Sequence, residues 1–172
     1  MIRVKPQTCI ATAELKNSTG TPVAPLKAVR VVWPDKDNPP PGQGNYTVAL
    51  APSPSSDPLG AGYGRMTVSK KGGVRWTGKA GDGSVLTRSS ALGTDFSIPL
   101  HWLLYRGLGS LQAWLQISPD GVNEVGGSAF WGKRAAAQPP RSYNQGFAKM
   151  NLQVAGARYH SPLAGLWSVT LP

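Results

Sequence analysis

Gly62-Tyr63-Gly64-Arg65-Met66-Thr67-Val68-Ser69-Lys70-Lys71-Gly72-Gly73-Val74-Arg75-Trp76-Thr77-Gly78-Lys79 holds two alternating runs on either side of a short basic turn. Apolar Met66 and Val68 alternate with Arg65 and Thr67, and Val74 and Trp76 alternate with Arg75 and Thr77. A period of two is that of a strand buried on one side. With Lys70-Lys71-Gly72 as a three-residue loop, Gly72 can take the left-handed position such loops need. Tyr63–Ser69 then pairs with Gly73–Lys79, Val68 opposite Val74 and Met66 opposite Trp76. Arg65, Thr67, Arg75, Thr77 and Lys79 fall on the other face. A slip of one residue would carry those cations inside, so the pattern fixes the register.

The same period extends in both directions. Asp82-Gly83 predicts a two-residue type I′ turn, and Ser84 to Ala91 follows as a strand that alternates poorly and leaves its register open. Ile98 to Ile117 predicts a second hairpin around Arg106-Gly107-Leu108-Gly109. With Tyr105 facing Ser110, Leu104 meets Leu111, Trp102 meets Ala113, Leu100 meets Leu115 and Ile98 meets Ile117. A helix over Leu100–Tyr105 is the rival, but Pro99 and Gly107 leave it too short.

Val125, Ala129 and Trp131 are in phase, as are Ala148, Met150, Leu152 and Val154, and Leu166–Leu171 reads as a closing strand. Upstream, Cys9 to Lys16 and Val29 to Trp33 alternate before a Pro-rich crossing loop from Pro34 to Gly44. Ala135 to Gly146, with Pro139-Pro140, reads as another long loop. Ten or eleven short strands predict an all-β fold. It is an antiparallel meander closing into a single β-barrel, with a sandwich as the alternative. Closure removes edges that would otherwise aggregate. Residues 1–45 form N-terminal strands and a loop packed on, or bridging to, a barrel domain over residues 46–172.

Composition agrees with this division of labour. Among 172 residues, 21 are glycine and 16 proline while only 15% are charged, which argues against a helical bundle. A 40% hydrophobic content with six tryptophans excludes disorder, and no apolar run is long enough to span a membrane. Cys9 is alone, so an intramolecular disulfide is impossible. The opening Met1-Ile2-Arg3-Val4-Lys5-Pro6 lacks a signal peptide's apolar core. The expectation is a cytoplasmic protein or a segment of a longer exported chain. Eighteen Lys and Arg against eight Asp and Glu give a formal charge of +10. Such a balance attracts polyanions, although the cations are spread along the chain and also read as a plainly basic, soluble surface.

Several motifs carry a resemblance. Gly62-Tyr63-Gly64, Thr67-Val68-Ser69, Gly73-Val74, Thr77-Gly78, Asp82-Gly83 and Ser89 open it. Pro99-Leu100, Leu104-Tyr105, Gly109-Ser110-Leu111 and Trp114-Leu115 continue it. Trp131, Lys133, Tyr143, Gly146-Phe147 and Gly156-Ala157-Arg158-Tyr159 end it. Over Tyr46 to Tyr159 the chain resembles a β module of very large secreted bacterial proteins, which often also carry immunoglobulin-like or Calx-beta-like modules. The resemblance implies an exported or surface-attached β module, extracellular, with neighbouring modules in a longer chain, and brings no catalytic residues.

Catalytic constellations are absent. His101 and His160 have no His, Cys or carboxylate at ligand spacing, so neither a metal nor another cofactor is expected. Gly60-Ala61-Gly62-Tyr63-Gly64 is followed by a strand, where a phosphate-binding loop would open a helix. Asp35, Asp37 and Asn38 could give oxygens to calcium, but without the rest of the helical calcium loop they read as solvated. Asp82 and Asp120 precede glycine and read as turn residues.

Two binding surfaces emerge instead. On the outer face of the second hairpin, His101 opposite Trp114, with Tyr105, Gln112 and Gln116 beside them, forms a candidate glycan platform, an indole among hydrogen-bonding groups. The competing reading packs this face under another segment. Arg65, Arg75, Lys79, Lys133 and Arg134 are candidates for binding a polyanion, whether nucleic acid or sulfated glycan. The expectation is a non-catalytic module for surface adhesion, spacing or assembly with weak glycan binding. The alternatives are a dedicated carbohydrate-binding module and a polyanion binder.

Overall fold

The computed structural model describes residues 2–5, 10–29, 33, 38–53, 58–118, 124–135, 143 and 145–159. Eleven strands lie among them: β1 (Ile2–Lys5), β2 (Ile10–Lys16), β3 (Pro22–Val29), β4 (Gly44–Pro52), β5 (Gly62–Val68), β6 (Gly73–Lys79), β7 (Val85–Ala91), β8 (Ser97–Leu104), β9 (Gly109–Ile117), β10 (Glu124–Lys133) and β11 (Phe147–Arg158). β1 to β3 make a small antiparallel sheet, and β4 to β11 make an eight-stranded one in the order β7-β6-β5-β4-β11-β10-β9-β8. The larger sheet is antiparallel and nearly closes into a barrel. No helix among the described residues is long and apolar enough to cross a membrane. Leu166–Leu171, Pro139-Pro140, Cys9, Asp35, Asp37, Asp120 and His160 lie outside the described residues.

Two four-stranded meanders build the barrel, β4 to β7 and β8 to β11, and β11 returns to pair with β4 from Leu152↔Pro52 to Arg158↔Tyr46. The seam therefore falls between β7 and β8, neighbours in sequence. Ser90 Oγ donates to the Pro99 carbonyl across it. Pro99 has no N–H for a ladder and suits an edge strand.

The alternation of β5 and β6 is realised as read. Val68 pairs with Val74 and Met66 with Trp76; all four are buried, and Arg65, Thr67, Arg75, Thr77 and Lys79 are exposed. Gly72 takes φ +71°. Gly64 within β5 admits the core indole, since a Cβ there would collide with the Trp76 ring. Trp76 in turn packs edge to face on Trp102, ring centroids 5.6 Å apart.

Three local expectations are corrected. The turn at Asp82-Gly83 holds three residues, not two. Ala80 N–H bonds to the Ser84 carbonyl and Gly83 N–H to the Ala80 carbonyl, with Gly83 alone left-handed at φ +84°. In the second hairpin the register is displaced by two residues. Leu104 pairs with Gly109, Trp102 with Leu111, Leu100 with Ala113 and Ile98 with Leu115. The connection is a 3-10 turn over Tyr105–Gly107 followed by Leu108, in which Tyr105, Arg106 and Gly107 all have positive φ. In β11, Met150, Leu152 and Val154 face the core, but Ala148 is exposed and Phe147 takes the inward place. A ladder irregularity between Trp131 and Lys133 shifts the pairing there.

In β7, whose register sequence left open, Trp76 pairs with Arg88 and Val74 with Ser90. Arg88 shares the phase of buried Leu86 yet is exposed, because the seam leaves that side of β7 without a ladder. At one end of the barrel Trp33 donates from Nε1 to the Leu92 carbonyl (3.2 Å) and its ring lies 6.3 Å from that of Phe96.

Candidate functional site: an open trough on β8 to β10

Period two sends the other side chains of β8, β9 and β10 outward, and the observed register sorts them into rows. His101 pairs with Gln112, which pairs with Phe130, which pairs with Asn151 on β11. One step away, Pro99, Trp114, Ser128 and Gln153 form a parallel row. Two depressions open on this face. One, of about 430 Å³, is bounded by His101, Gln112, Phe130, Lys149 and Arg134, among others. Arg88, Ser90, His101, Gln112, Trp114 and Phe130 border the other, of about 550 Å³, at the seam. His101, Gln112 and Phe130 belong to both, so the two join in one trough crossing three strands.

Sequence reasoning placed part of this surface. Trp114, His101 and Gln112 come together, but His101 faces Gln112 and Trp114 faces Pro99, as the two-residue displacement requires. Trp114 is half-buried. Gln116 stands outside both depressions and donates its carboxamide N–H to the Asp95 carbonyl.

Tyr105 is not on the outer face at all. The chain has left the strand there, and the Tyr105 hydroxyl donates to Asp82 Oδ2 (2.6 Å) while accepting from Trp131 Nε1 (3.0 Å). Burial, reinforced by the Asp82 hydrogen bond and charge, holds its pKa well above the ordinary tyrosine value.

The candidate polyanion set divides. Arg65, Arg75 and Lys79 line the outside of β5 and β6, and Arg134 borders the trough on another wall. Lys133 is only 4% exposed, with Nζ 4.6 Å above the Tyr105 ring. The phase that buries Trp131 buries Lys133 two residues later, so Lys133 borders the first depression of the trough with little surface of its own and stands apart from Arg65, Arg75 and Lys79.

The trough also has residues that sequence reasoning missed. Phe130 lies out of phase with Ala129 and Trp131, which was a legible signal. Lys149 sits with Nζ 4.2 Å over the Phe130 ring, a cation–π contact that holds charge against the aromatic floor. Arg88 was hidden by the irregular alternation of β7.

Chemically the described lining of the trough offers three aromatic side chains, Trp114, Phe130 and Phe147, with an imidazole, carboxamide and hydroxyl groups, and cations; among these described residues none is acidic. Two carboxylates at turns of the barrel, Asp82 and Asp95, are occupied. Asp82 accepts from Tyr105 and from Ser84 N–H, and Asp95 accepts from the Ser97 N–H and hydroxyl. Among the described residues no three His, Cys, Asp or Glu side chains gather where they could hold a metal ion. Set against known proteins, the chain matches no family model, no curated protein and no solved structure.

Proposed function

We propose that this chain is a non-catalytic module of an exported bacterial protein that holds a glycan chain in the trough and so serves surface adhesion or assembly. The observation that carries the reading is the sharing of His101, Gln112 and Phe130 by two open depressions. An enclosed pocket suits a small molecule, whereas a trough open along its length admits a polymer passing through. Phe130 and Trp114 give flat apolar surface for sugar C–H faces. Gln112, Ser110 and His101 can donate to and accept from hydroxyls. A hydrolase would need paired carboxylates at the scissile bond, and the described residues of the lining supply none. The exported setting comes from the resemblance over Tyr46 to Tyr159.

Titrating the purified chain with a panel of neutral polysaccharides, following tryptophan emission, tests this. Saturable binding is expected, lost in Trp114→Ala/Phe130→Ala while far-UV dichroism is unchanged. Absence of binding across the panel, or binding indifferent to that double substitution, overturns it. So does release of reducing ends from any polysaccharide by the wild-type chain.

A further inference from the structure

A different wall of the barrel carries a second surface. In the cyclic strand order β5 and β6 lie four places round from β9 and β10, so their outer faces point away from the trough. The registers of β11, β4, β5, β6 and β7 lay the outward side chains in rows. Ala157, Thr47, Arg65, Thr77 and Thr87 form one, and Ala155, Ala49, Tyr63, Lys79 and Val85 the next. On the other side of the Arg65 row, Asn45, Thr67, Arg75 and Ser89 line up, with Tyr159 joined through its N–H to the Asn45 carbonyl. No outward position in these rows is acidic, and among the described residues Arg65, Arg75 and Lys79 have no ion-pair partner.

We propose that this wall binds an acidic polysaccharide, independently of the trough. Arg65 and Arg75 are diagonal neighbours on adjacent strands, about 7–8 Å apart at the backbone. Lys79 follows two residues beyond Thr77, about 7 Å along the strand. Three uncompensated cations thus step regularly along the hairpin, and Lys70 and Lys71 extend the charge into its exposed turn. A linear polymer with an anionic group on successive sugars complements that spacing.

The ground between the cations is hydroxyl and amide: Thr47, Thr67, Thr77 and Thr87, with Thr67 Oγ1 donating to Asn45 Oδ1 at 2.9 Å. A depression of about 400 Å³ bounded by Asn45, Thr47, Arg65 and Tyr159 gives one anionic substituent a place beside the guanidinium. A single-stranded nucleic acid asks for successive aromatic platforms. The exposed Tyr63 and Tyr159 stand in separate rows, Tyr159 just beyond the end of β11, so sugar hydroxyls match the wall better than bases.

The test uses the full chain with heparin, polygalacturonate and an oligothymidylate. Binding to both polysaccharides is expected, weakening about twentyfold between 50 and 200 mM salt, as roughly three neutralised charges imply. Arg65→Gln/Arg75→Gln/Lys79→Gln, all at exposed positions, should weaken it at least about tenfold with the fold intact. Trp114→Ala/Phe130→Ala should leave it within about twofold, which separates this surface from the trough. Triple-variant binding equal to wild type, failure of both polysaccharides, loss of binding in the trough variant, or an oligothymidylate bound as tightly as heparin would each overturn the proposal.

Discussion

The Tyr105 hydroxyl donates to Asp82 Oδ2 at 2.6 Å, and this bond ties the turn between β8 and β9 to the turn between β6 and β7. It stands at the far end of the seam from the 92–96 connection, where a backbone ladder is missing. The barrel is thus fastened by side chains where strand pairing does not close it. Tyr105→Phe removes the donor to Asp82 and the acceptor for Trp131 Nε1 together. The expected cost is about 1–3 kcal/mol in chemical denaturation. Asp82→Ala should fall in the same range, and the double variant should cost clearly less than the two added, because the groups share one network.

Alkali should weaken the fold through the same hydroxyl. The Tyr105 pKa is raised, by burial first and then by Asp82, and that of buried Tyr46 is raised by burial despite Arg158. A raised native pKa means that the folded state holds the proton more tightly. The associated stability is complete below the unfolded tyrosine pKa, near 10, and falls as pH climbs above it toward the native values. Denaturation midpoints should therefore drop above about pH 10, and less steeply in Tyr105→Phe than in wild type. A midpoint flat to pH 12 would contradict the assignment.

Gly64→Ala should be among the costlier single substitutions in the barrel. The added Cβ meets the Trp76 ring, and overpacking of this kind costs about 1–3 kcal/mol. At Gly83 nothing lies within 4 Å of an added Cβ and only its φ of +84° is unfavourable. Gly83→Ala should cost about 1 kcal/mol. Urea midpoints of the two variants, side by side, check the difference.

Register in the second hairpin can be tested by cross-linking in a Cys9→Ser background. His101→Cys with Gln112→Cys places the new thiols on paired residues, within the range a disulfide can bridge after small adjustment. His101→Cys with Trp114→Cys places them diagonally and should oxidise far more slowly under mild oxidant. The reverse order would restore the register expected from sequence.

Most of the barrel was readable because period two separates Met66, Val68, Val74 and Trp76 from Arg65, Arg75 and Lys79 without conflict. The second hairpin shows where that signal stops. A displacement of two residues keeps every inward side chain inward, so Trp102 is equally content opposite Leu111 or Ala113. Only the turn decides, and it begins at Tyr105, a bulky residue at φ 55° that gives no glycine-like warning. The trough inherits that error, with Trp114 and Gln112 recovered but their partners exchanged. Lys133 was misplaced against a legible phase. Lys149 on β11 could not be linked to Phe130 on β10 before that pairing was known.

The pairing of β4 with β11 also fixes how the barrel answers a mechanical pull. The chain enters the sheet at Gly44 and leaves it at Arg158, beside one another, with Tyr159 N–H bonded to the Asn45 carbonyl at 2.7 Å. Tension applied through the flanking chain draws these two strands apart from that shared end. Their hydrogen bonds then break one after another, as a zipper opens, instead of resisting together in shear. A barrel pulled this way gives way one rung at a time, beginning at the end where its first and last strands meet.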